Sequence, residues 1–124
     1  MGRERDASPH DLTGWETQVR KGGLSLAVLA ILWPGRLYGL EILKRLDAQA
    51  GLSIPEGTIY PLLNRMKTEG LVTSEWVEAD AGHPRKYYSL TDQGRRRVRD
   101  MAASWRAFAA GLEGLLAPIE GKSR

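Results

Sequence analysis

The spacing of apolar residues predicts a mainly α chain (α+β) with one small region of β structure. Up to residue 70 these residues recur every three or four positions, which is typical of one face of a helix. Between residues 71 and 91 this period is lost in two short runs that are typical of strands, and a long helical pattern follows. With 124 residues, 42% of them hydrophobic, the chain is long enough to bury a core.

The composition excludes several classes of protein. Cysteine is absent, which rules out disulfides, cysteine-ligated zinc, iron–sulfur clusters and thiol catalysis. The net charge of +3 permits a nucleic-acid partner without requiring one. The longest apolar run, Leu26 to Trp33, is far shorter than the roughly 20 residues of a membrane span. The first ten residues lack the apolar stretch of a signal peptide, so we expect a soluble cytoplasmic protein.

Three helices are predicted in the first half of the chain. After a flexible arm over residues 1–10, residues 11–33 have a helical pattern, and Gly22-Gly23 leaves open whether they form one bent helix or two. Residues 38–50 form a second, short helix that Gly51 ends. Residues 56–69 form a third helix, whose one face carries four apolar side chains: Ile59, Leu62, Leu63 and Met66.

A hairpin and a long helix are predicted in the second half. Residues 71–78 and 85–91 are typical of strands, and the segment between them has the length of a hairpin loop. Thr91 is placed to cap a final helix that continues to about Ala117, before Pro118. Three short helices followed by a two-stranded hairpin, the wing, is the order of a winged helix-turn-helix fold.

The polar face of the third helix is the first candidate site. A helix that recognises DNA is held by its apolar face, while its polar side chains enter the major groove. The third helix offers polar residues that can hydrogen-bond bases or phosphates: Thr58, Tyr60, Asn64, Arg65 and Lys67. Alone, this pattern also fits an ordinary amphipathic surface helix. The short helix before it and the hairpin after it favour DNA binding.

The tip of the hairpin is the second candidate. It carries His83, Arg85 and Lys86, and basic wing tips bind phosphates or enter the minor groove. Arg85 and Lys86 are neighbours on a strand and point to opposite faces, so we expect only one of them to meet DNA. The alternative is an ordinary polar turn.

The last helix carries a narrow apolar seam. Its residues follow one another at spacings of three and four, as a and d positions of heptads do: Val98, Met101, Trp105, Phe108, Leu112, Leu115 and Ile119. No other long helix of the chain has a matching seam, so the pattern predicts a homodimer with Trp15 also at its interface. The alternative is that the seam packs within its own protomer, partly against Trp15 and Val19.

Trp105 and Phe108 are large for a coiled coil, and gaps beside them suit a flat hydrophobic ligand. Together with Trp15 they form a candidate effector pocket, although plain dimer packing is the slightly favoured interpretation. The densest charge cluster, Arg95-Arg96-Arg97 with Arg99, is interpreted as a solvated helix face, with phosphate contacts as the alternative.

Enzyme classes are excluded by the side chains present. The two histidines, His10 and His83, have no metal-ligand spacing, and no nucleophile–base arrangement is evident. Gly121-Lys122-Ser123 is similar to the end of a phosphate-binding loop, but Leu116 stands where such a loop needs a glycine. We predict no catalysis, no metal and no cofactor.

Four segments resemble the PadR-like transcriptional regulators in order and spacing, and the match extends over roughly residues 21–105. They are LYGLEI (37–42), EGTIYPLLNRM (56–66), EGLV (69–72) and PRKYYSLTDQG (84–94). The resemblance implies a homodimeric winged-helix repressor with residues 56–69 as recognition helix and 82–86 as wing tip. The single C-terminal helix is similar to the compact branch of the family. At the position of Trp105, the multidrug-sensing members of this branch have a tryptophan that stacks on planar drugs. In this chain the segment around Trp15 is an alternative occupant of the drug pocket.

These observations predict a flexible arm (1–10), a winged helix-turn-helix DNA-binding domain (11–91), a C-terminal dimerisation helix (92–119) and a flexible tail (120–124). We expect a homodimeric repressor that binds a pseudo-palindromic operator, with release by a small hydrophobic or aromatic effector as a further hypothesis. The alternative is a winged-helix module that binds proteins without sequence-specific DNA binding.

Overall fold

The computed structural model describes residues 12–78 and 82–121. Its elements are α1 (Thr13–Ile31), β1 (Leu37–Tyr38), α2 (Gly39–Ala50), α3 (Glu56–Thr68), β2 (Val72–Val77), β3 (Arg85–Leu90) and α4 (Asp92–Leu116). This order confirms the predicted winged helix-turn-helix with a long last helix. The predicted arm, the loop residues 79–81 and the last three residues of the predicted tail lie outside the described residues.

The first helix is continuous, which answers the question left open by Gly22-Gly23. α1 passes through both glycines, and nothing lies within 4 Å of the places where their Cβ atoms would stand. Val28 and Leu29 anchor its second half in the core, so the weak helix propensity of two glycines does not break it. Its first half is exposed. Within residues 12–78 and 82–121, no helix is long and apolar enough to cross a membrane.

The sheet contains a third strand, beside the two of the wing, that the sequence did not predict. β1 pairs antiparallel with β3, which also pairs with β2, so the strand order is β1-β3-β2. Leu37 of β1 faces Tyr88 of β3, and both side chains are buried. A strand of two residues has no alternation to detect, and only its pairing with β3 defines it.

The core lies between the helices and the inner face of the sheet. α3 contributes the four predicted apolar residues, α2 contributes Ile42 and Leu46, and the sheet adds Val72 and Tyr88. Each large side chain buried here stabilises the fold by about 1.5–3 kcal/mol relative to its exposed state. The buried face of α3 packs against α2 and β2, so the rotation of α3 about its axis is set by the core.

The junction between the wing and α4 is held by a cap. Thr91, the predicted N-cap, accepts a hydrogen bond from the amide of Gly94 at 2.9 Å, and its hydroxyl donates to the carbonyl oxygen of Gly70 at 2.7 Å. Gly94 lies so close to the carbonyl group of Leu71 that a Cβ atom would have no room. These contacts fix the direction in which α4 leaves the sheet.

The start of the predicted seam needs a correction. Val98 is 6% exposed and belongs to the core of its own protomer, and Met101 packs against that core. Both residues follow the heptad spacing because the first turns of α4 cover the core. Spacing alone does not distinguish a helix face on its own core from one that awaits a partner. The exposed part of the seam begins at Trp105.

Candidate nucleic-acid interface

The structure exposes the predicted polar face of α3. All five predicted residues lie on the surface, while the four apolar residues of the helix are buried: the exposed set is Thr58, Tyr60, Asn64, Arg65 and Lys67. Arg65 and Lys67 lie in the last turn, where cations are favoured by the helix dipole. α3 is therefore a helix anchored along one face with its hydrogen-bonding side chains free.

A cleft of about 490 Å³ lies between α3 and the wing. Its lining residues come from β1, α2, α3 and the two longer strands: Tyr38, Gly39, Leu40, Tyr60, Asn64, Trp76, Arg85, Lys86 and Tyr88. The cleft thus brings together four predicted residues, two from α3 and two from the wing. The other predicted residues, Thr58, Arg65, Lys67 and His83, are exposed but do not line it.

Five of the lining residues were not singled out as site residues from the sequence. Gly39 and Leu40 begin α2, and Trp76 lies on β2, so only the tertiary structure brings them beside α3. The only feature of the sequence that could have indicated Trp76 was its large aromatic side chain in a short strand. That feature is weak, because such a residue is usually assigned to the core. Here Trp76 is 68% exposed.

Tyr60 closes the side of the cleft next to α2. A Cβ atom added to Gly39 would lie 2.5 Å from the Tyr60 Oη, so the tyrosine ring rests directly on the glycine backbone. Burial raises the pKa of the Tyr60 hydroxyl, and the carboxylate of Glu56 raises it further. A tyrosine hydroxyl is protonated at neutral pH even at its ordinary pKa, and the upward shift keeps it so; it can donate a hydrogen bond to an anion.

Arg85 and Lys86 both line the cleft, although the alternation of a strand indicated that only one of them would face DNA. The Arg85 guanidinium lies over the ring of Tyr38, 4.4 Å from its centroid. The Lys86 ammonium lies 5.8 Å from the ring centroid of Trp76 and 5.9 Å from that of Tyr88. Arg85 and the Tyr38 ring beneath its guanidinium both line the cleft. The alternation of strand residues does not take into account the length of an arginine side chain.

The outer face of the sheet is held by a row of cations and aromatic rings. Arg36 donates to the Glu75 carboxylate at 2.7 Å and lies 4.7 Å from the ring centroid of Tyr87. The Tyr87 ring packs edge to face against the Tyr38 ring, with 5.5 Å between the ring centroids. The Arg85 guanidinium lies over the Tyr38 ring. The exposed ion pair itself contributes at most about 1 kcal/mol. The row as a whole links all three strands and holds the wing beside α2.

Half of the arginine cluster has a structural role that was not predicted. Arg95 and Arg99 lie over the ring of Trp33, at 4.6 Å and 5.2 Å from its centroid, and Arg95 donates to the Trp33 carbonyl oxygen at 3.3 Å. They attach α4 to the segment that follows α1. Arg96 and Arg97 are exposed, as expected for a solvated face.

The rest of the predicted seam is exposed in the protomer. Trp105 is 51% exposed and Phe108 60%, and their ring centroids are 6.2 Å apart with the planes tilted by 47°. Leu112, Leu115 and Ile119 continue this exposed apolar surface. On α1, Trp15 and Val19 are exposed as well. The alternative, in which the seam packs within its own protomer, thus holds for Val98 and Met101 but not for the exposed residues from Trp105 onward.

The fold and the cleft define the class of winged helix-turn-helix proteins. The model of the PadR-like family of transcriptional regulators matches residues 28–100, more than half of the chain. The chain therefore belongs to that family of transcriptional regulators, which are not enzymes.

Several relatives and solved structures are similar to the chain. The negative transcriptional regulator PadR of Bacillus subtilis is 30% identical over 79 residues, which are 62% of this chain but 43% of that protein. The crystal structure of a PadR family regulator from Eggerthella lenta has a TM-score of 0.76 and 36% identity, covering 85% of this chain and 91% of that one. A PadR-like regulator from Bacillus cereus has a TM-score of 0.73 and 33% identity, covering 80% and 96%.

The contact between Gly39 and Tyr60 generates a prediction. We expect Gly39→Ala to destabilise the fold by about 1–3 kcal/mol, because the new Cβ forces the Tyr60 ring out of its place. In a Tyr60→Ala background the same substitution is expected to cost less, since the ring is absent. Urea unfolding of the four proteins measures this coupling. Equal costs in both backgrounds would contradict the contact, and Gly57→Ala, at a glycine with open space around it, is the control.

Proposed function

We propose that the chain is a homodimeric DNA-binding repressor that recognises a pseudo-palindromic operator. The observation that carries the proposal is the position of the free polar face of α3 beside a basic cleft formed with the wing. A negative transcriptional regulator among the relatives supports the sign of regulation. On this proposal residues 11–91 are the DNA-binding domain, 92–119 the dimerisation helix and 120–124 a tail, and the protein acts in the cytoplasm.

In the proposed complex α3 enters the major groove. Thr58, Asn64 and Arg65 then face base edges or the flanking phosphates, as side chains of recognition helices do. Tyr60 donates from its protonated hydroxyl, and Lys67 binds a phosphate near the end of the helix. At the wing, His83, Arg85 and Lys86 contact the sugar–phosphate backbone or the minor groove.

The salt dependence of binding tests the DNA proposal. We expect affinity for duplex DNA to fall steeply with salt, and Lys86→Ala or Arg85→Ala to reduce the log–log slope by about 1, because each removes one phosphate contact. Fluorescence anisotropy over a range of salt concentrations measures the slope. The control is Arg45→Ala, an exposed arginine about 140° round α2 from Leu40, whose loss is expected to leave the slope unchanged.

The same titration separates the proposal from its alternative, a winged-helix module that binds proteins and does not recognise DNA. A flat salt response of the unsubstituted protein would favour the protein-binding module. A steep slope that is equal for all variants would leave DNA binding in place and refute the phosphate contacts of Arg85 and Lys86. No observation on the described residues favours that module over DNA: the two charged side chains that line the cleft are both cations.

The exposed seam of α4 supports the homodimer. Contiguous apolar surface of this kind marks an interaction site, and the a/d spacing suits a second copy of the same helix. Two copies place two recognition helices on half-sites about one helical turn apart. In this proposal the interface comprises Trp15, Met101 and the exposed residues of the seam: Trp105, Phe108, Leu112 and Leu115.

A charge placed in the seam tests the dimer. We expect Trp105→Asp to give monomers, because the partner helix would have to bury a carboxylate at an apolar position. Sedimentation velocity measures the mass. Arg96→Asp, a charge reversal at an exposed position of the same helix outside the seam, is expected to leave the dimer intact. A dimer that persists in the Trp105→Asp protein would refute the seam.

Release by a planar hydrophobic or aromatic effector between Trp105, Phe108 and Trp15 is a second proposal. It is supported by the exposed, mutually tilted rings of Trp105 and Phe108. We expect a ligand from a panel of planar aromatic compounds to quench tryptophan emission and to weaken DNA binding by about 5–150-fold. The quenching should be smaller in Trp105→Phe, where only Trp15 remains as a tryptophan of the pocket, and unchanged in Trp76→Phe. Unchanged emission and unchanged DNA affinity for the whole panel would reject the effector.

A further inference from the structure

Trp76 is the most exposed aromatic residue of the wing. Alternation along β2 places it on the same face of the sheet as Val72, which is buried, and opposite Lys86 of β3. The inner face of the sheet therefore continues past the end of the core, through Ser74, and into the cleft beside α3. There the Trp76 side chain is 68% exposed.

The cleft combines apolar surface with positive charge. The partly exposed Leu40 on α2 and the rings of Tyr60 and Trp76 supply the apolar lining. Arg85 and Lys86 are cationic, and none of the described lining residues is acidic. The Lys86 ammonium lies 5.8 Å from the ring centroid of Trp76 and 5.9 Å from that of Tyr88. It is therefore held at the wall of the cleft and remains free to pair with an anion.

This combination fits the backbone of a nucleic-acid strand. A deoxyribose ring offers an apolar surface for an aromatic face, and the phosphate next to it offers the anion for a lysine. The cleft also adjoins Tyr60 and Asn64 of the recognition helix. A strand that borders the groove occupied by α3 would consequently run along the cleft.

We propose that Trp76 is a DNA contact that packs against a deoxyribose of the strand lying in the cleft, with Lys86 on the adjacent phosphate. The inference rests on the proposed function, since it requires that α3 binds duplex DNA. It assigns to Trp76 a contribution to affinity that is independent of salt, in contrast to that of Lys86. It also explains why the wing keeps a large aromatic side chain in solvent.

The test compares Trp76→Ala, Trp76→Phe and Lys86→Ala on a fluorescein-labelled mixed-sequence DNA duplex. We expect Trp76→Ala to weaken binding about tenfold at every salt concentration with the log–log slope unchanged. Trp76→Phe is expected to retain most of the affinity, and Lys86→Ala to lower the slope by about 1. Thr73→Ala is the matched control: it lies on the same strand, exposed on the opposite face, and should bind as the unsubstituted protein does.

A second measurement does not depend on the folding of Trp76→Ala. Acrylamide quenches exposed indoles, and the difference in emission between the unsubstituted protein and Trp76→Phe isolates the signal of Trp76. We expect added DNA to protect that signal from acrylamide, because the ring becomes covered. Protection confined to tryptophans other than Trp76 would overturn the contact.

The outcomes separate the two proposals. If the unsubstituted protein does not bind the duplex, the proposed function fails. If it binds with a steep salt slope but Trp76→Ala binds equally well, or Trp76 stays open to acrylamide, the contact is refuted and the proposed function stands. A reduced slope in Trp76→Ala would also refute the contact, since the ring would then act by placing Lys86 rather than by touching the sugar.

Discussion

The burial of one face of α3 is the constraint on which the rest of the site depends. Ile59, Leu62, Leu63 and Met66 are all buried against α2 and β2. Because each residue turns a helix by about 100°, fixing these four leaves the polar side chains no alternative to the surface. The helix is therefore held in place by the burial of apolar side chains and not by its hydrogen-bonding side chains. The hydrogen-bonding groups on its other face remain available for a partner.

The position of the wing depends on a second set of contacts, which lie partly in the core and partly on the outer face of the sheet. Tyr88 places β3 in the core opposite Leu37, and the outer row of Arg36, Tyr87 and Tyr38 holds the strands together where the core ends. The cleft exists because these contacts bring β1 and the start of α2 close to α3. Its positive charge comes from two residues of β3, so a net charge of only +3 for the chain understates the local field.

The apolar side chains of α4 lie in two different environments, the core at the start of the helix and the surface further along. Its first turns are capped by Thr91 and cover the core through Val98, whereas the surface from Trp105 onward is exposed. The heptad spacing runs through both parts without a break. Arg95 and Arg99 extend the attachment by stacking on Trp33, which frees the later turns of the helix for the proposed interface.

The sequence by itself determined the order of the elements, the buried face of α3, the Thr91 cap and the family to which the chain belongs. These features depend on residues close together in the chain, where periodicity, capping and motif spacing are visible. Only the tertiary structure decided that β1 exists, that α1 is continuous, that Val98 belongs to the core and that Trp76 lines the same cleft as Tyr60. Each of these depends on contacts between residues far apart in the sequence, and local periodicity does not specify which distant surfaces meet.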